Sequence, residues 1–433
     1  MRFFAVAALS ALFHFAVVAE PVEDFIPPRS VPKGFVTTRG SNFEVNGKPF
    51  YFVGANSYWL PLLTTQEDVE NTFEEMQGAG IKVLRTWGFN AINGSELADA
   101  QKSGLTYYQI WNSTEWVLND GPQGLHRLDN VVSTAGKYGI KVILAFTNNW
   151  APSSMSTGLE ALAKRMTFSI LIRESYLHTA KRYVKTIVNR YKASPNIFAW
   201  ELMNEARCLG DLPGGPSCVP GSGTLHTWYK QQADFVRSLD PHHLITTGGE
   251  GHFFWKKPVG FWFNGTFVSD YNFNGQAGED FDADLSLKNI DFGTYHIYPQ
   301  FWYPQLDTPG SNFTLKSWGL GWIKDHANAA RRAGKPVILE EFGVSGLTNK
   351  TGVYPAWVDL ALGTNHGLLH SGIMPWQFGM TGLKESGGNR LIKYADALID
   401  GASPNDGFAI YKNQSAVWNV FTRAAQVQAA KSR

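Results

Sequence analysis

Eight short apolar runs, spread along nearly the whole chain and separated by helix-like stretches, leave this sequence few ways to fold. The runs are Tyr51–Asn56, Val83–Phe89, Val142–Asn148, Ile197–Asn204, Leu244–Gly248, Phe292–Tyr298, Val337–Phe342 and Ile373–Phe378. Between them, Thr65–Ala79, Ser175–Tyr191, Thr224–Leu239 and Trp318–Ala333 carry apolar residues at helical spacing, and Ser415–Lys431 reads as a closing helix. Eight strand–helix repeats are the pattern of an α/β fold of the (β/α)8 TIM-barrel type. Ahead of the first repeat, two alternating runs flank Asn46-Gly47, which predicts an N-terminal β-hairpin over Asn42–Val53. A chain of 433 residues suits one such barrel. With no low-complexity linker or repeat, residues 20–433 are expected to form a single catalytic domain.

The formal net charge is +1, and no basic block is present to displace counterions from phosphates, so no nucleic-acid partner is expected. Neutral substrates follow from the same balance. Residues 1–19 have a basic start, an apolar run over Phe3–Val18 and small residues before a polar break. That is the pattern of a secretory signal peptide, with a signal anchor as the alternative, and it predicts a secreted, extracellular chain with no membrane contact once the peptide is cleaved. Asn-x-Ser/Thr sequons at Asn93, Asn112, Asn264, Asn312, Asn349 and Asn413 agree with export. Cys208 and Cys218 are the two cysteines, ten residues apart across a Gly/Pro-rich loop. In an oxidising compartment they are expected to form a disulfide, with two buried thiols as the alternative. No His/Cys cluster reads as a metal site, so neither metal nor cofactor is predicted.

In a barrel of this kind, residues at the C-terminal ends of the strands face one bowl. Here they are Asn56, Arg85 with Trp87, Asn148 to Trp150, Asn204 with Glu205, Glu250, His296 with Tyr298, Glu341 and Trp376. Hydrogen-bonding groups, carboxylates and flat rings together suit a sugar, whose hydroxyls need fixed partners and whose C–H faces stack on aromatics. Glu205 and Glu341 each close an apolar run just before a turn signal. Two carboxylates aimed at one point are the minimum equipment for cleaving a glycosidic bond. The long aromatic-rich stretch Gly251–Asp291 is placed at the same mouth.

Arg85-Thr-Trp-Gly-Phe89, Trp200-Glu-Leu-Met-Asn-Glu-Ala-Arg207, Phe292-Gly-Thr-Tyr-His-Ile-Tyr-Pro299, Glu340-Glu-Phe-Gly343 and Trp376-Gln-Phe-Gly379, in this order, resemble glycoside hydrolase family 5, and more narrowly its fungal endo-β-1,4-mannanases. The resemblance implies a retaining, double-displacement hydrolase of β-mannans, and the chain is expected to act as a monomer. Other β-glycanases of the family, such as endo-β-1,4-glucanases, are the alternative, and a non-catalytic carbohydrate-binding protein is the remote one. It implies Glu205 as acid/base and Glu341 as nucleophile. Arg85 and Tyr298 would hold Glu341, and Asn204 would reach the sugar 2-hydroxyl. His296 would support the acid/base or the leaving-side sugar. Trp376 would be the platform at the cleavage point, with Trp87, Trp150 and Arg207 at neighbouring positions.

Where the family usually has proline after the acid/base, this chain has Ala206, which frees φ there and leaves the Cys208–Cys218 link to stiffen the loop. Strand alternation sends Glu340 to the face opposite Glu341. Glu341, beside Arg85 and Tyr298, is expected to stay ionised while Glu205 titrates high. Carboxyl groups about 5–5.5 Å apart are the expected spacing for retention.

Overall fold

The computed structural model describes residues 31–150, 174–208, 217–257, 259–307, 313–363, 369–385 and 401–432. The signal peptide expected over residues 1–19 and the sequon at Asn312 lie outside them. Eight parallel strands form one sheet: β1 (Phe52–Asn56), β2 (Val83–Trp87), β3 (Lys141–Ala145), β4 (Ile197–Glu201), β5 (Leu244–Thr246), β6 (Gly293–Ile297), β7 (Val337–Phe342) and β8 (Gly372–Ile373). Their spatial order is β5-β4-β3-β2-β1-β8-β7-β6. The two outer strands meet through Asp291 N–H to the Ile245 carbonyl (2.9 Å) and His296 N–H to the Glu250 carbonyl (3.1 Å), which brings the sheet round into a barrel.

A helix follows each strand: α1 (Gln66–Gly78), α2 (Leu125–Lys137), α3 (Glu174–Tyr191), α4 (Thr224–Leu239), α5 (Phe281–Ser286), α6 (Leu315–Ala333), α7 (Leu347–Leu362) and α8 (Ser415–Lys431). Local chemistry fixes several of their ends. Thr65 accepts from Asp68 N–H at the start of α1, and Thr314 and Ser317 form a capping box on α6. Gly334 and Gly363 end α6 and α7 in the left-handed conformation.

The expected hairpin is present, with a strand added before it and its second arm shorter than predicted. Val36–Arg39 pairs with Asn42–Val45, and the arm after Asn46-Gly47 is only Lys48–Pro49, since proline cannot donate to a ladder. Asn46 and Gly47 both have positive φ, as a two-residue hairpin turn requires. Val36 and Phe43 from this hairpin pack with Phe52, Val83, Ile143, Phe198, Leu244, Phe292, Ile338 and Met374. These are inward residues at the strands' N-terminal ends, so the hairpin stoppers the floor of the barrel. A second, larger apolar cluster joins the outer strand faces to the helices. Polar groups are thereby displaced towards the C-terminal mouth.

β8 is shorter than the expected Ile373–Phe378. Pro375 interrupts the ladder, and Trp376 N–H to the Phe342 carbonyl (3.0 Å) and Phe378 N–H to the Asn56 carbonyl (2.9 Å) continue it irregularly. Among the described residues no helix is long and apolar enough to cross a membrane.

Candidate active site

The mouth is organised around one buried cation. Arg85, on β2, is fully buried. Its Nε and Nη2 donate to Glu201 Oε2 (2.7 Å) and Oε1 (2.6 Å) as a two-pronged pair. Nη1 donates to Asn56 Oδ1 at 3.0 Å and to Glu341, and Nη2 reaches Asn204 Oδ1 at 2.7 Å. A planar five-donor group is the one side chain able to serve all these acceptors at once.

Glu341 ends β7. Besides Arg85, it accepts from the Tyr298 hydroxyl at 2.8 Å, and His296 Nδ1 stands 3.6 Å from its Oε2. Glu205 follows β4, where Asn148 and Asn204 bridge the chain ends of β3 and β4. Its φ of 50° is the left-handed conformation, uncommon for a residue with a side chain. The Glu205 N–H to Gly248 carbonyl bond (2.8 Å) holds this turn. The turned carboxylate takes a 2.8 Å hydrogen bond from His296 Nδ1 and another from the Trp150 indole N–H. One ligating atom each of Glu205, His296 and Glu341 lie within 4.8 Å of one another. These three are close enough to grip a metal ion, but each is already committed to donors or acceptors inside this network.

Two expectations are corrected here. Glu340 does not point away from Glu341. The register between β6 and β7 shifts so that Tyr295 faces Leu339 and His296 faces Glu341, leaving Glu340 as an extra residue. Both consecutive glutamates therefore face inward, and Glu340 stands 3.6 Å from Arg85 Nε and 3.7 Å from His296 Nε2.

The titration order is also the reverse of that expected. Burial pushes Glu205 up, but the hydrogen bond and charge of His296, with Arg207 and Trp150, pull it down to about 2. Burial raises Glu341 above its ordinary value, more than His296, Arg85 and Tyr298 lower it. His296 itself is buried, which disfavours its charge, yet Glu341, Glu205 and Glu340 together hold its pKa well above 6.5. Both shifts favour an imidazolium facing a carboxylate across this hydrogen bond.

Of the remaining expected residues, Asn204 is tied at both ends. Its Oδ1 accepts from Arg85, and its Nδ2 donates to Asn148 Oδ1 at 2.8 Å, leaving one amide hydrogen for a ligand. Trp87 and Trp376 stand together, ring centroids 6.0 Å apart, with Tyr58 stacked on Trp376 at 5.7 Å. Trp150 lies against Glu205 rather than at a neighbouring position. Arg207 stacks on the Trp150 ring at 4.3 Å and pairs with Glu250 at 2.9 Å. Cys208 and Cys218 form the expected disulfide.

Three groups escaped the sequence reading. Glu201 accepts both prongs of Arg85, and burial raises its pKa to about 7 against that cation's pull. Its four-residue spacing from Glu205 on an otherwise apolar strand was the available signal. Glu340 is the second, named from the sequence but assigned to the wrong face. Asp406 is the third, accepting from Trp376 Nε1 at 2.6 Å and Gln377 Nε2 at 3.0 Å; nothing in its sequence context marks it.

A (β/α)8 barrel whose mouth holds two facing carboxylates, a buried arginine and an aromatic wall defines a carbohydrate-processing enzyme class. Comparison with known proteins narrows this. The sequence model of "Cellulase (glycosyl hydrolase family 5)" matches residues 43–377. The chain belongs to glycoside hydrolase family 5. It is 37% identical over 383 residues to mannan endo-1,4-beta-mannosidase A of Podospora anserina, covering 87% of this chain and 86% of that one. It is 34% identical over 382 residues to mannan endo-1,4-beta-mannosidase A of Aspergillus aculeatus, covering 88% and 87%. The structure of the endo-1,4-beta-mannanase from Rhizomucor miehei superposes with a TM-score of 0.72 at 31% identity, covering 92% of this chain and 99% of that one.

Proposed function

We propose that this protein hydrolyses internal β-1,4-mannosidic bonds of mannan, galactomannan and glucomannan by double displacement. The observation that carries the reading is the convergence of Glu205 and Glu341, with His296, inside 4.8 Å. Near atoms of the two carboxylates this close favour direct attack by one of them; retention goes with carboxyl groups about 5–5.5 Å apart and inversion with about 6.5–9.5 Å. The mannosidase names of relatives aligned over most of the chain support the substrate.

In the first displacement, a Glu341 oxygen bonds to the anomeric carbon as the glycosidic C–O bond breaks. Glu205 passes a proton to the departing oxygen, drawing it from His296 Nδ1. The Trp87–Trp376 wall receives the sugar's C–H face. The remaining Asn204 N–H lies beside Glu205 and suits the sugar 2-hydroxyl, a contact that strengthens as positive charge develops. In the second displacement, Glu205 takes a proton from water, whose oxygen bonds to the anomeric carbon and frees Glu341. Anomeric configuration is retained.

The same reading includes export, with residues 20–433 acting as one monomeric catalytic domain on extracellular polysaccharide. The test follows mannohexaose cleavage by proton NMR with product sizing. Internal cuts releasing β-configured reducing ends are expected. Release of α-anomers, or faster turnover of carboxymethylcellulose than of galactomannan, overturns the retaining or the mannan assignment respectively.

A further inference from the structure

The loop after β5 carries a two-stranded hairpin, Gly260–Phe263 against Thr266–Ser269. Its turn is Asn264-Gly265, with φ of 49° and 76°, the doubly left-handed geometry that matches strand twist and that asparagine and glycine tolerate. The turn is also a sequon, Asn264-Gly265-Thr266. Phe263 and Thr266, directly opposite one another, bracket it. Asn264 is exposed, and its amide makes no hydrogen bond among the described residues. The other described sequons are placed differently. Asn93 caps a helical turn, Asn112 folds its oxygen back onto Thr114 and Glu115, and Asn349 donates its amide to the Ser345 carbonyl from within α7. Asn413 is exposed but has no paired strands around it.

We infer that Asn264 is N-glycosylated and that its innermost sugar lies on the Phe263 ring beside Thr266. Strand alternation puts Phe263 and Phe261 on one face, where Phe261 stacks on Phe313 at 4.5 Å and anchors the hairpin. Phe263 has no ring partner among the described residues, so its outer part is left for a sugar C–H face. Trp262, 73% exposed, and Phe267 occupy the opposite face and serve as an internal control. The modifying step joins Asn264 Nδ2 to the anomeric carbon of an N-acetylhexosamine from a lipid-pyrophosphate-linked oligosaccharide. The C–O bond to pyrophosphate breaks, the pyrophosphate leaves with the electron pair, and the transferase takes the amide proton. A two-stranded ribbon is marginal alone, so a sugar clamped over its turn would stiffen it.

This inference rests on the export named above, and the experiment separates the two. The full chain is produced in a secreting yeast, and medium and cells are assayed for mannanase. Retention of all activity in the cells overturns export itself. In secreted protein, the peptide spanning residues 261–269 is expected to gain an N-acetylhexosamine after endoglycosidase trimming, and Asn264→Gln to remove it. Hydrogen exchange at the hairpin amides is expected to slow about 2- to 10-fold with the glycan attached. Phe263→Ala should abolish that difference and Trp262→Ala should preserve it. An unmodified peptide in secreted protein overturns the site. A modified peptide whose protection responds to Trp262→Ala instead overturns the stacking on Phe263. Unaltered protection with weaker retention of Trp262→Ala on immobilised mannan makes the hairpin a platform for external polysaccharide, and the inference fails.

Discussion

His296 Nδ1 and Glu205 Oε1 lie 2.8 Å apart, and the charges around them push the histidine's pKa up while drawing the carboxyl's down. With the Glu205 carboxyl drawn down and His296 pushed up, the proposed acid would deliver its proton through the pair acting as a unit. The alkaline limb of kcat/KM is then expected above the ordinary histidine range, because the imidazolium is stabilised by Glu341, Glu205 and Glu340. His296→Gln removes both the proton store and the charge depressing Glu205. The alkaline limb should move down, towards the range of a lone carboxyl. A pH profile on mannopentaose with that limb unmoved would show that His296 supplies no proton.

With Glu341 as the proposed nucleophile, which must be ionised to attack, the acid limb is expected to be its own. Burial raises its pKa, so this limb is expected above the ordinary carboxyl value. Tyr298 donates to the ionised form at 2.8 Å. Tyr298→Phe deletes a bond to a charged group, about 1.5–3 kcal/mol, which corresponds to a rise of about 1–2 units in the limb. A shift to lower pH would contradict the arrangement.

Leaving-group chemistry distinguishes the two carboxylates. Glu205→Ala should cost about 100- to 10,000-fold on mannan. It should cost far less on an aryl mannoside whose leaving phenolate needs no proton. Glu341→Ala should lose both activities, since no bond to the anomeric carbon forms. Comparable losses of the variants on the activated substrate would refute the division of roles, provided circular dichroism shows both folded.

The barrel was legible because its strands are apolar runs of ordinary length with turn signals between them. Glu205, Glu341, Arg85 and Tyr298 were legible because strand ends in such a barrel converge whatever the loops do. Glu340 was misread, since alternation counted backwards from Glu341 ignores the register shift opposite Tyr295 and His296, a property of strand pairing. The titration order was misread for a related reason. The sequence places His296 and Trp150 at the mouth but not with their N–H groups aimed at Glu205. Asp406 lies in an irregular segment beyond the last strand, where no periodicity tells which side chain turns inward.

Asp406 supplies the last prediction. Its Oδ2 receives the Trp376 indole N–H and the Gln377 amide, while Oδ1 receives the backbone N–H groups of Phe408 (2.9 Å) and Ala409 (3.2 Å). The carboxylate thus ties Trp376, the proposed sugar platform, to its own loop. Phe408 in turn packs edge-on against Tyr298 at 5.7 Å, the residue that holds Glu341. Lys350 braces the loop from behind through the Phe408 and Ala409 carbonyls, each at 2.9 Å. Asp406→Ala frees the indole edge, so Trp376 no longer meets the sugar in one orientation. Losing hydrogen bonds to a charged acceptor, about 1.5–3 kcal/mol each, is expected to cost roughly 10- to 100-fold in kcat/KM. The loss should fall in kcat more than in KM, because positioning matters most as the ring flattens in the transition state. Asp406→Asn keeps one acceptor oxygen and should recover much of it. Steady-state kinetics of both variants, with near-ultraviolet circular dichroism reporting the tryptophan environment, tests this. Equal defects in Asp406→Ala and Asp406→Asn, or a loss carried wholly by KM, would remove Asp406 from the positioning of Trp376.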